Sequence, residues 1–309
     1  MAGTAINVMR LTTLKGARHI VCVRRKEHLN ILQVGRYRVL QHLGGGGSAE
    51  VYLAEDSLLR RKVALKILRR RDADDRQTRH FEREARCAAL LNHPNVVTIY
   101  DVGHDGDVHY MATEFVEGET LRQRLNRGPL TFSEVVDVAT SVANALVSAH
   151  EAWLVHRDIK PENIAIRKDG GVKVLDFGVS ALSGDGDNTD PLRRPGALVG
   201  TLHYLSPEQV RGEPIIDSRS DIYSLGVVLY EMLAGRVPFK GKDVVEVLAM
   251  IVEAEPLPLS ALVPVALRAL VTRLLAKNMY DRPQTAAEVV AALTQVRVDL
   301  LLERRAGTA

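Results

Sequence analysis

The chain has 309 residues, a length that suits one large domain or two smaller packed domains. Hydrophobic residues make up 46% of it and charged residues 26%, as is typical of a globular protein with a buried core. The net charge of +3 is small for this length, so it gives no electrostatic case for binding nucleic acid or an anionic membrane.

The cysteines and the apolar runs predict a cytoplasmic protein. Cys22 and Cys87 are far apart in sequence, which favours reduced thiols over a disulfide or zinc framework. No run approaches the roughly 18 consecutive apolar residues of a membrane-spanning helix. The N-terminus also lacks the apolar segment of a signal peptide. We therefore expect neither a membrane nor a nucleic acid as a partner.

Residues 1–35 match no element of the pattern that follows. Arg18–Arg24 has the composition of a short strand, followed by two further basic residues. Two interpretations stay open: a poorly ordered leader or misassigned start, and a small docking element. We treat residues 1–35 as an unassigned N-terminal extension.

From Tyr37 the pattern becomes rich in β-strands. Alternating apolar residues and turn residues predict five strands and, after the third, one helix. The strands are Tyr37–His42, Ala49–Ala54, Lys62–Leu68, Val96–Gly103 and Val108–Phe115, and the helix is Thr78–Leu91.

After Gly118 the pattern becomes helical. Phe132–His150 carries Val135, Val138, Ala139, Val142 and Leu146 at a spacing of three to four, which predicts one buried helix face. Later helices are predicted at Asp221–Ala234, Val244–Val252, Pro264–Leu275 and Thr285–Val296. A β-rich part followed by an α-rich part predicts an α+β fold of two lobes with a cleft between them.

A run of glycines lies between the first two predicted strands. Backbone without side chains can approach phosphate groups closely, and its N–H groups can hold their oxygens. Alone, such a run also suits a flexible turn, and that alternative stays open. The candidate residues are Leu43, Gly44, Gly45, Gly46, Gly47, Ser48, Ala49 and Val51.

Lys66 lies in an otherwise apolar strand, Val63-Ala-Leu-Lys66. A buried ammonium needs a counter-charge, because leaving it unpaired is costly. Glu84 on the next helix is the natural partner, whereas Glu82 points to another side of that helix. The alternative is that Lys66 ends its strand and reaches water.

Two polar segments carry the strongest chemical signal. In His156-Arg-Asp-Ile-Lys-Pro-Glu-Asn163, Asp158 can accept a hydroxyl proton, Lys160 can neutralise a phosphate and Asn163 can bind a divalent metal. Asp176, in Val174-Leu-Asp-Phe-Gly178, adds a carboxylate suited to a hard cation that bridges phosphates. Either segment alone could be a polar surface turn; their order and spacing argue against it.

In these motifs the sequence resembles the eukaryotic-type (Hanks-type) serine/threonine protein kinases of bacteria, over about residues 37–297. The resemblance implies a bilobal kinase domain at 36–297, with an N-lobe at 36–116, a C-lobe at 117–297 and a tail at 298–309. It implies ATP and Mg²⁺, or Mn²⁺, as cofactors, with Asn163 and Asp176 as metal ligands. Catalytic residues would be Asp158, Lys160, Lys66 and Glu84, and the adenine would contact Ala64, Thr113, Glu114, Val116 and Ala165.

Smaller features of the resemblance add further expectations. Glu208 would pair with Arg282, and Asp221 would brace the catalytic loop. Lys160, and Gly200-Thr201 before Tyr204, are typical of the serine/threonine class of kinases. Thr201 is expected to contact substrate. Ala49 replaces the third glycine of the glycine-rich loop, which stiffens the loop and keeps its N–H donors.

The segment between Asp176 and Glu208 resembles an activation loop. Arg157 is the residue that would hold a loop phosphate. Arg193 and Pro195 occupy places where bacterial relatives carry threonines, so the candidates are Thr189 first, then Ser183 and Ser180, or a loop that needs no phosphate. Ser183–Arg194 is rich in Gly and Asp, but it has no glycine at the position that a calcium-binding loop requires and lacks the glutamate that ends such a loop.

Three functions can be built on these motifs. The first is a kinase acting on protein Ser and Thr hydroxyls, with autophosphorylation through a transient dimer. The second is a pseudokinase scaffold, which usually loses the lysine or one of the aspartates that are present here. The third is a small-molecule phosphotransferase, a class that lacks a Ser-Pro-Glu segment like Ser206–Glu208.

Overall fold

The computed structural model describes residues 22–25, 28–31, 33–45, 49–68, 81–82, 85–86, 88–176 and 202–306. The chain divides into two units, one formed by residues 1–74 and 100–115 and the other by residues 75–99 and 116–309. The predicted helix Thr78–Leu91 lies partly outside the described residues, and those of its residues that are described as far as Ala88 are helical.

The first unit contains the predicted β-rich region. A hairpin of β1 (Cys22–Arg25) and β2 (His28–Ile31) precedes a sheet of six strands in the order β3-β4-β5-β6-β8-β7. These strands are β3 (Gln33–Val34), β4 (Tyr37–Gly45), β5 (Ala49–Asp56), β6 (Arg61–Leu68), β7 (Ile99–Asp105) and β8 (Val108–Glu114).

The pleat of this sheet separates a core face from a second face. Val63, Leu65 and Ile67 of β6 are buried in a cluster with Tyr52, Ala54, Tyr110 and Ala112. Because successive side chains of a strand alternate, Ala64 and Lys66 lie on the other face. Val34 is also fully buried in this core, although the sequence analysis assigns it to the extension, because β3 pairs with β4.

The second unit contains a small sheet of three strands. It consists of β9 (Gly118–Thr120), β10 (Ile164–Arg167) and β11 (Val172–Val174), in the order β11-β10-β9. A Cβ on Gly118 would lie 1.9 Å from the carbonyl oxygen of Ile166, so this pairing requires glycine.

Besides the helical residues at 81–88, the described part of the second unit contains further helices. They are α1 (Leu121–Asn126), α2 (Phe132–Glu151), α3 (Pro207–Arg211), α4 (Ser218–Ala234), α5 (Val244–Glu253), α6 (Val265–Leu274) and α7 (Ala286–Ala306). The predicted face of α2 is confirmed, since Val135, Val138, Ala139, Val142 and Leu146 are all buried. Every residue of α4 from Ser220 to Met232 is buried, so the unit packs around this helix.

Several predicted boundaries are wrong, and hydrogen bonds give the reason for two of them. Helix α4 begins at Ser218 because the Asp217 side chain caps it by accepting from the Arg219 N–H. Strand β7 begins at Ile99 because the preceding Val97 N–H donates to the Val174 carbonyl oxygen at 3.0 Å, beside β11. Helix α7 continues to Ala306, beyond its predicted end at Val296.

Two further observations concern the surface. Trp153, the one tryptophan, follows α2 with φ 58° and is 87% exposed. Within the described parts of the chain, no helix combines the length and hydropathy needed to cross a membrane.

Candidate active site

The catalytic-loop motif forms a compact polar network in the second unit. The Nζ atom of Lys160 donates to the two carboxylate oxygens of Asp158 at 2.9 and 2.7 Å. The Asn163 amide nitrogen donates to the Asp158 carbonyl oxygen at 2.8 Å and to its Oδ2 atom at 2.9 Å. The three polar residues singled out in the motif therefore meet at one carboxylate.

Asp221 of α4, which is fully buried, holds the loop that carries Asp158 in place. Its Oδ2 atom accepts hydrogen bonds from the His156 N–H at 2.8 Å and lies 2.9 Å from His150 Nε2, and its Oδ1 atom accepts from the Arg157 N–H at 2.7 Å. Arg157 has φ 64°, a left-handed conformation that costs energy in a residue other than glycine. The predicted bracing of the loop by Asp221 is present.

Asn163 and Asp176 are brought together through the backbone. The Leu175 N–H donates to the Asn163 carbonyl oxygen at 2.8 Å, and Asp176 follows with φ 42°. Because the Asn163 amide nitrogen is engaged with Asp158, its side-chain oxygen is turned away from that carboxylate. In the described parts of the chain no three His, Cys, Asp or Glu side chains are grouped to hold a metal ion. One carboxylate and one amide oxygen still fit Mg²⁺, which is commonly held by one or two carboxylates together with substrate phosphates.

Four of the candidate nucleotide-binding residues of the first unit, Val51, Ala64, Lys66 and Thr113, share one face of its sheet. Ala64 lies opposite Thr113, and Lys66 lies opposite both Val51 and Met111. Directly opposed residues point to the same side of a sheet, so these side chains are on the face away from the Val63–Leu65 core. The Thr113 hydroxyl lies 3.4 Å from the Ala64 carbonyl oxygen, and Glu114 is the last residue of β8.

The glycine-rich loop is described at its two ends. Leu43, Gly44 and Gly45 end β4, and Ala49 begins β5, whereas Gly46, Gly47 and Ser48 lie outside the described residues. The same holds for Glu84 and for the candidate phosphosites Ser180, Ser183 and Thr189, together with Thr201. The pairing of Lys66 with Glu84 therefore stays a prediction. Glu82 forms an ion pair with Arg86 at 3.3 Å.

Ala165 lies on the face of β10 that points away from the hydrophobic core. Its partners in the register are Thr120 and Lys173, whereas Ile164 pairs with Val174 and Ile166 with Val172. The side chains of Ile164 and Val174 are fully buried in the core of the second unit. They cannot also fill space beside Ala165, because neighbours along a strand point to opposite faces.

Comparison with known proteins identifies the family. The sequence pattern of the protein kinase domain matches residues 37–293. The chain belongs to the protein kinase family. The predicted α+β kinase fold is confirmed by this match and by the β-rich first unit and helical second unit.

Two bacterial relatives are similar to this kinase-family chain over most of its length. Serine/threonine-protein kinase PrkC of Bacillus subtilis is 41% identical over 278 residues, which cover 88% of this chain and 42% of PrkC. Serine/threonine-protein kinase PknB of Mycobacterium tuberculosis is 43% identical over 270 residues, covering 84% of this chain and 43% of PknB. The chain thus spans about two fifths of the length of these relatives.

A buried ion pair predicted by the resemblance is present in this kinase domain. Arg282 donates to the two carboxylate oxygens of Glu208 at 2.7 and 2.8 Å, and both side chains are almost fully buried. The Ser220 hydroxyl adds a hydrogen bond of 2.6 Å to Glu208. Burial favours the neutral form of Glu208, but these hydrogen bonds and the Arg282 charge lower its pKa below the ordinary value.

Sequence reasoning missed a second group of charges beside the catalytic loop. Arg122 of α1 contacts Glu162, Glu231 and the Tyr204 hydroxyl. Glu231 was the available signal, because it interrupts an apolar stretch of α4 and a buried carboxylate needs a partner. The partner is 109 residues away in sequence, so no local pattern identifies it.

Proposed function

We propose that this chain is the catalytic part of an ATP-dependent serine/threonine protein kinase. It transfers the γ-phosphoryl group of Mg·ATP to Ser and Thr hydroxyls of proteins, including its own. The observation that carries the proposal is the contact of Asp158 with both Lys160 and Asn163, on a loop held by Asp221. The similarity to PrkC and PknB supports the choice of Ser and Thr as acceptors.

The reaction requires a proton acceptor and a cation at the acceptor hydroxyl. The Asp158 carboxylate takes the hydroxyl proton as the acceptor oxygen forms its bond to the γ-phosphorus. The bond from that phosphorus to the oxygen bridging to the β-phosphate breaks, and ADP leaves with the electron pair. Lys160, already within 2.7 Å of Asp158, neutralises charge on the transferring phosphoryl group.

The remaining site residues position the nucleotide. Lys66 binds phosphate oxygens, with Glu84 as its counter-charge. Asn163 and Asp176 would hold Mg²⁺, or Mn²⁺, which when bound supplies positive charge to the phosphates. The adenine and ribose are held by the backbone of Glu114 and Val116 and by the side chains that follow: Leu43, Val51, Ala64, Thr113 and Ala165. The backbone N–H groups of residues 44–49 cradle the phosphates.

Further proposals concern the setting of this reaction. Because the chain spans about two fifths of PrkC and PknB, its protein substrates are proposed only as a class, Ser- or Thr-bearing proteins. Autophosphorylation would proceed between two copies in a transient dimer. We place the catalytic part in the cytoplasm, where ATP is available.

The decisive experiment compares wild type with Asp158→Asn after incubation with Mg·ATP and a cell lysate. Phosphopeptide mass spectrometry should find new phosphoserine and phosphothreonine, on the protein itself and on lysate proteins, with wild type only. A pseudokinase would bind ATP and give no new phosphopeptides. A small-molecule phosphotransferase would consume ATP in the lysate without labelling protein.

A further inference from the structure

A cation, two carboxylates and a phenol meet beside the catalytic loop; we call Arg122, Glu162, Glu231 and Tyr204 the Arg122 junction. Arg122 donates from Nε to Glu162 at 2.8 Å and from Nη1 to Glu231 at 2.6 Å. Its Nη2 atom donates to the Tyr204 hydroxyl, which itself donates to Glu231, each at 2.5 Å. One guanidinium therefore contacts all three other members.

The junction lies beside the loop that carries Asp158, the proposed proton acceptor. Glu162 directly precedes Asn163, whose amide nitrogen donates to Asp158. Tyr204 follows Thr201, the residue expected to contact substrate, by three positions. The Glu162 side chain is 47% exposed and that of Arg122 is 29% exposed, so the junction is open to solvent beside Glu162.

The groups around Arg122 would suit a guanidinium group from another molecule if Arg122 were absent. Burial disfavours a charged Arg122, yet its hydrogen bonds to Glu231 and Glu162 raise its pKa, so it is held as a cation. The Glu231 side chain is only 8% exposed, and Arg122 is the cation that pairs with it, while the Tyr204 hydroxyl also donates to it. Two carboxylates and a phenolic oxygen accept hydrogen bonds from one planar guanidinium group, so together they form a site shaped to bind a guanidinium group.

We propose that Arg122 is a specificity-determining residue: it fills this guanidinium site from within the chain and so excludes an arginine of the protein substrate. The acceptor sequences of this enzyme would then lack any preference for arginine near the phosphorylated Ser or Thr. This inference rests on the proposed kinase function and names the substrate class of that site.

The test compares wild type with Arg122→Gln on peptide libraries that have a fixed Thr and carry either Arg or Ala at each neighbouring position. The measured quantity is the ratio of kcat/KM for the Arg peptide to that for the Ala peptide. We expect a ratio at or below one for wild type at every position. In Arg122→Gln the emptied site accepts a substrate arginine, so the ratio should rise by about tenfold or more at one position.

Matched variants separate specificity from support of the fold. Arg124→Gln removes an arginine of the same helix that pairs with Glu134 at 3.1 Å, and it should leave the ratio unchanged. Glu162→Gln added to Arg122→Gln should abolish the gained preference for arginine. A purely structural Arg122 would instead lower kcat/KM for both peptides equally.

Three outcomes overturn the inference. One is an active Arg122→Gln enzyme with an unchanged ratio at all positions. Another is a wild-type enzyme that already prefers peptides with arginine beside the acceptor. This measurement needs no variant, so it tests the inference even if Arg122→Gln does not fold. The third is a wild type that phosphorylates neither peptides nor itself, which contradicts the proposed function as well.

Discussion

The Oδ1 atom of Asp221 accepts a hydrogen bond of 2.7 Å from the N–H of Arg157, the residue of the catalytic loop with φ 64°. Strained backbone persists only where its surroundings over-determine it, and Asp221 supplies that constraint with a second bond, to the His156 N–H. The position of Asp158, the next residue along the chain, thus depends on a carboxylate that does not itself touch the reacting groups.

Replacing Asp221 should therefore reduce catalysis without affecting nucleotide binding. In Asp221→Asn one carboxylate oxygen becomes an NH₂ group that faces backbone donors, so the loop shifts. We expect kcat to fall by roughly 10²-fold, as for other small displacements of catalytic groups. Asp217→Asn at the N-cap of the same helix is the control, and it should keep near-normal kcat. Equal kcat for the two variants would show that Asp221 does not position the loop.

Three of the candidate site residues should have separable effects. Asp158→Asn removes the proton acceptor and should lower kcat by roughly 10²–10⁴-fold with ATP affinity retained. Asp176→Asn and Lys66→Met should weaken Mg·ATP binding, because their side chains are assigned to the metal and the phosphates. Nucleotide titration and steady-state kinetics distinguish the two patterns. A wild-type rate for Asp158→Asn would contradict its assigned role.

The Glu208–Arg282 pair should be essential for stability. Arg282→Met leaves an unpaired carboxylate that is 2% exposed, at a cost of about 3–5 kcal/mol in the free energy of unfolding. Arg167→Gln, which breaks the exposed pair with Asp169, should leave the free energy of unfolding nearly unchanged, because water screens that pair. Urea unfolding curves monitored by circular dichroism give the free energy of unfolding of both variants. Adding Glu208→Gln to Arg282→Met should recover part of the loss; equal stability of the two single variants would refute this account.

The same pair predicts a pH dependence. The folded-state pKa of Glu208 is lowered from its ordinary value of 4.5, so its contribution to stability is present above that pH. The contribution is lost as the pH falls through 4.5 toward the lower folded-state pKa. Removing the carboxylate in Glu208→Gln should flatten the fall of unfolding free energy in this acidic range. An unchanged slope would mean that other carboxylates account for it.

Ala165 should control the size of nucleotide that the enzyme accepts. The resemblance places it beneath the adenine, where a larger residue is usual, and Ile164 and Val174 point to the opposite face. We expect an N6-benzyl ATP analogue to compete with ATP in wild type. Ala165→Leu should exclude the analogue and tighten ATP, since each buried methylene contributes about 0.8 kcal/mol.

Ile164→Val is the matched control for that experiment, because its side chain lies in the core face of β10. It should lower stability by about 0.5–1.5 kcal/mol and leave nucleotide selectivity unchanged. Weak analogue binding by wild type, unaltered by Ala165→Leu, would show that the space beside Ala165 is closed.

Most strands and helices of this kinase domain could be predicted, because their apolar periodicity is local in sequence. The buried face of α2, the strands of the first unit and the residues Asp158 and Asn163 are of this kind. The hairpin of β1 and β2 was anticipated only in part: the strand-like run Arg18–Arg24 overlaps β1, whereas β2 is only four residues long and was missed. The extra length of α7 was missed because residues 297–306 mix charged and apolar residues without a stop signal.

Features made by residues distant in sequence were harder to anticipate. The Glu208–Arg282 pair came only from family resemblance, and the Arg122 junction was missed because Glu231 alone does not identify a partner 109 residues away. Side-chain direction is a further limit: the sequence does not show which face of β10 Ala165 and Ile164 occupy, and the register of β10 with β11 does.

The exposure of Trp153 determines how useful tryptophan fluorescence is for following unfolding and binding. An indole in contact with water emits at long wavelength in the folded chain as it would in the unfolded one, and this protein has no second tryptophan. Intrinsic fluorescence should therefore change little during urea unfolding, and secondary structure is the signal to follow. The emission should move to shorter wavelength only when another molecule covers that turn, which makes Trp153 a natural reporter of binding at the end of α2.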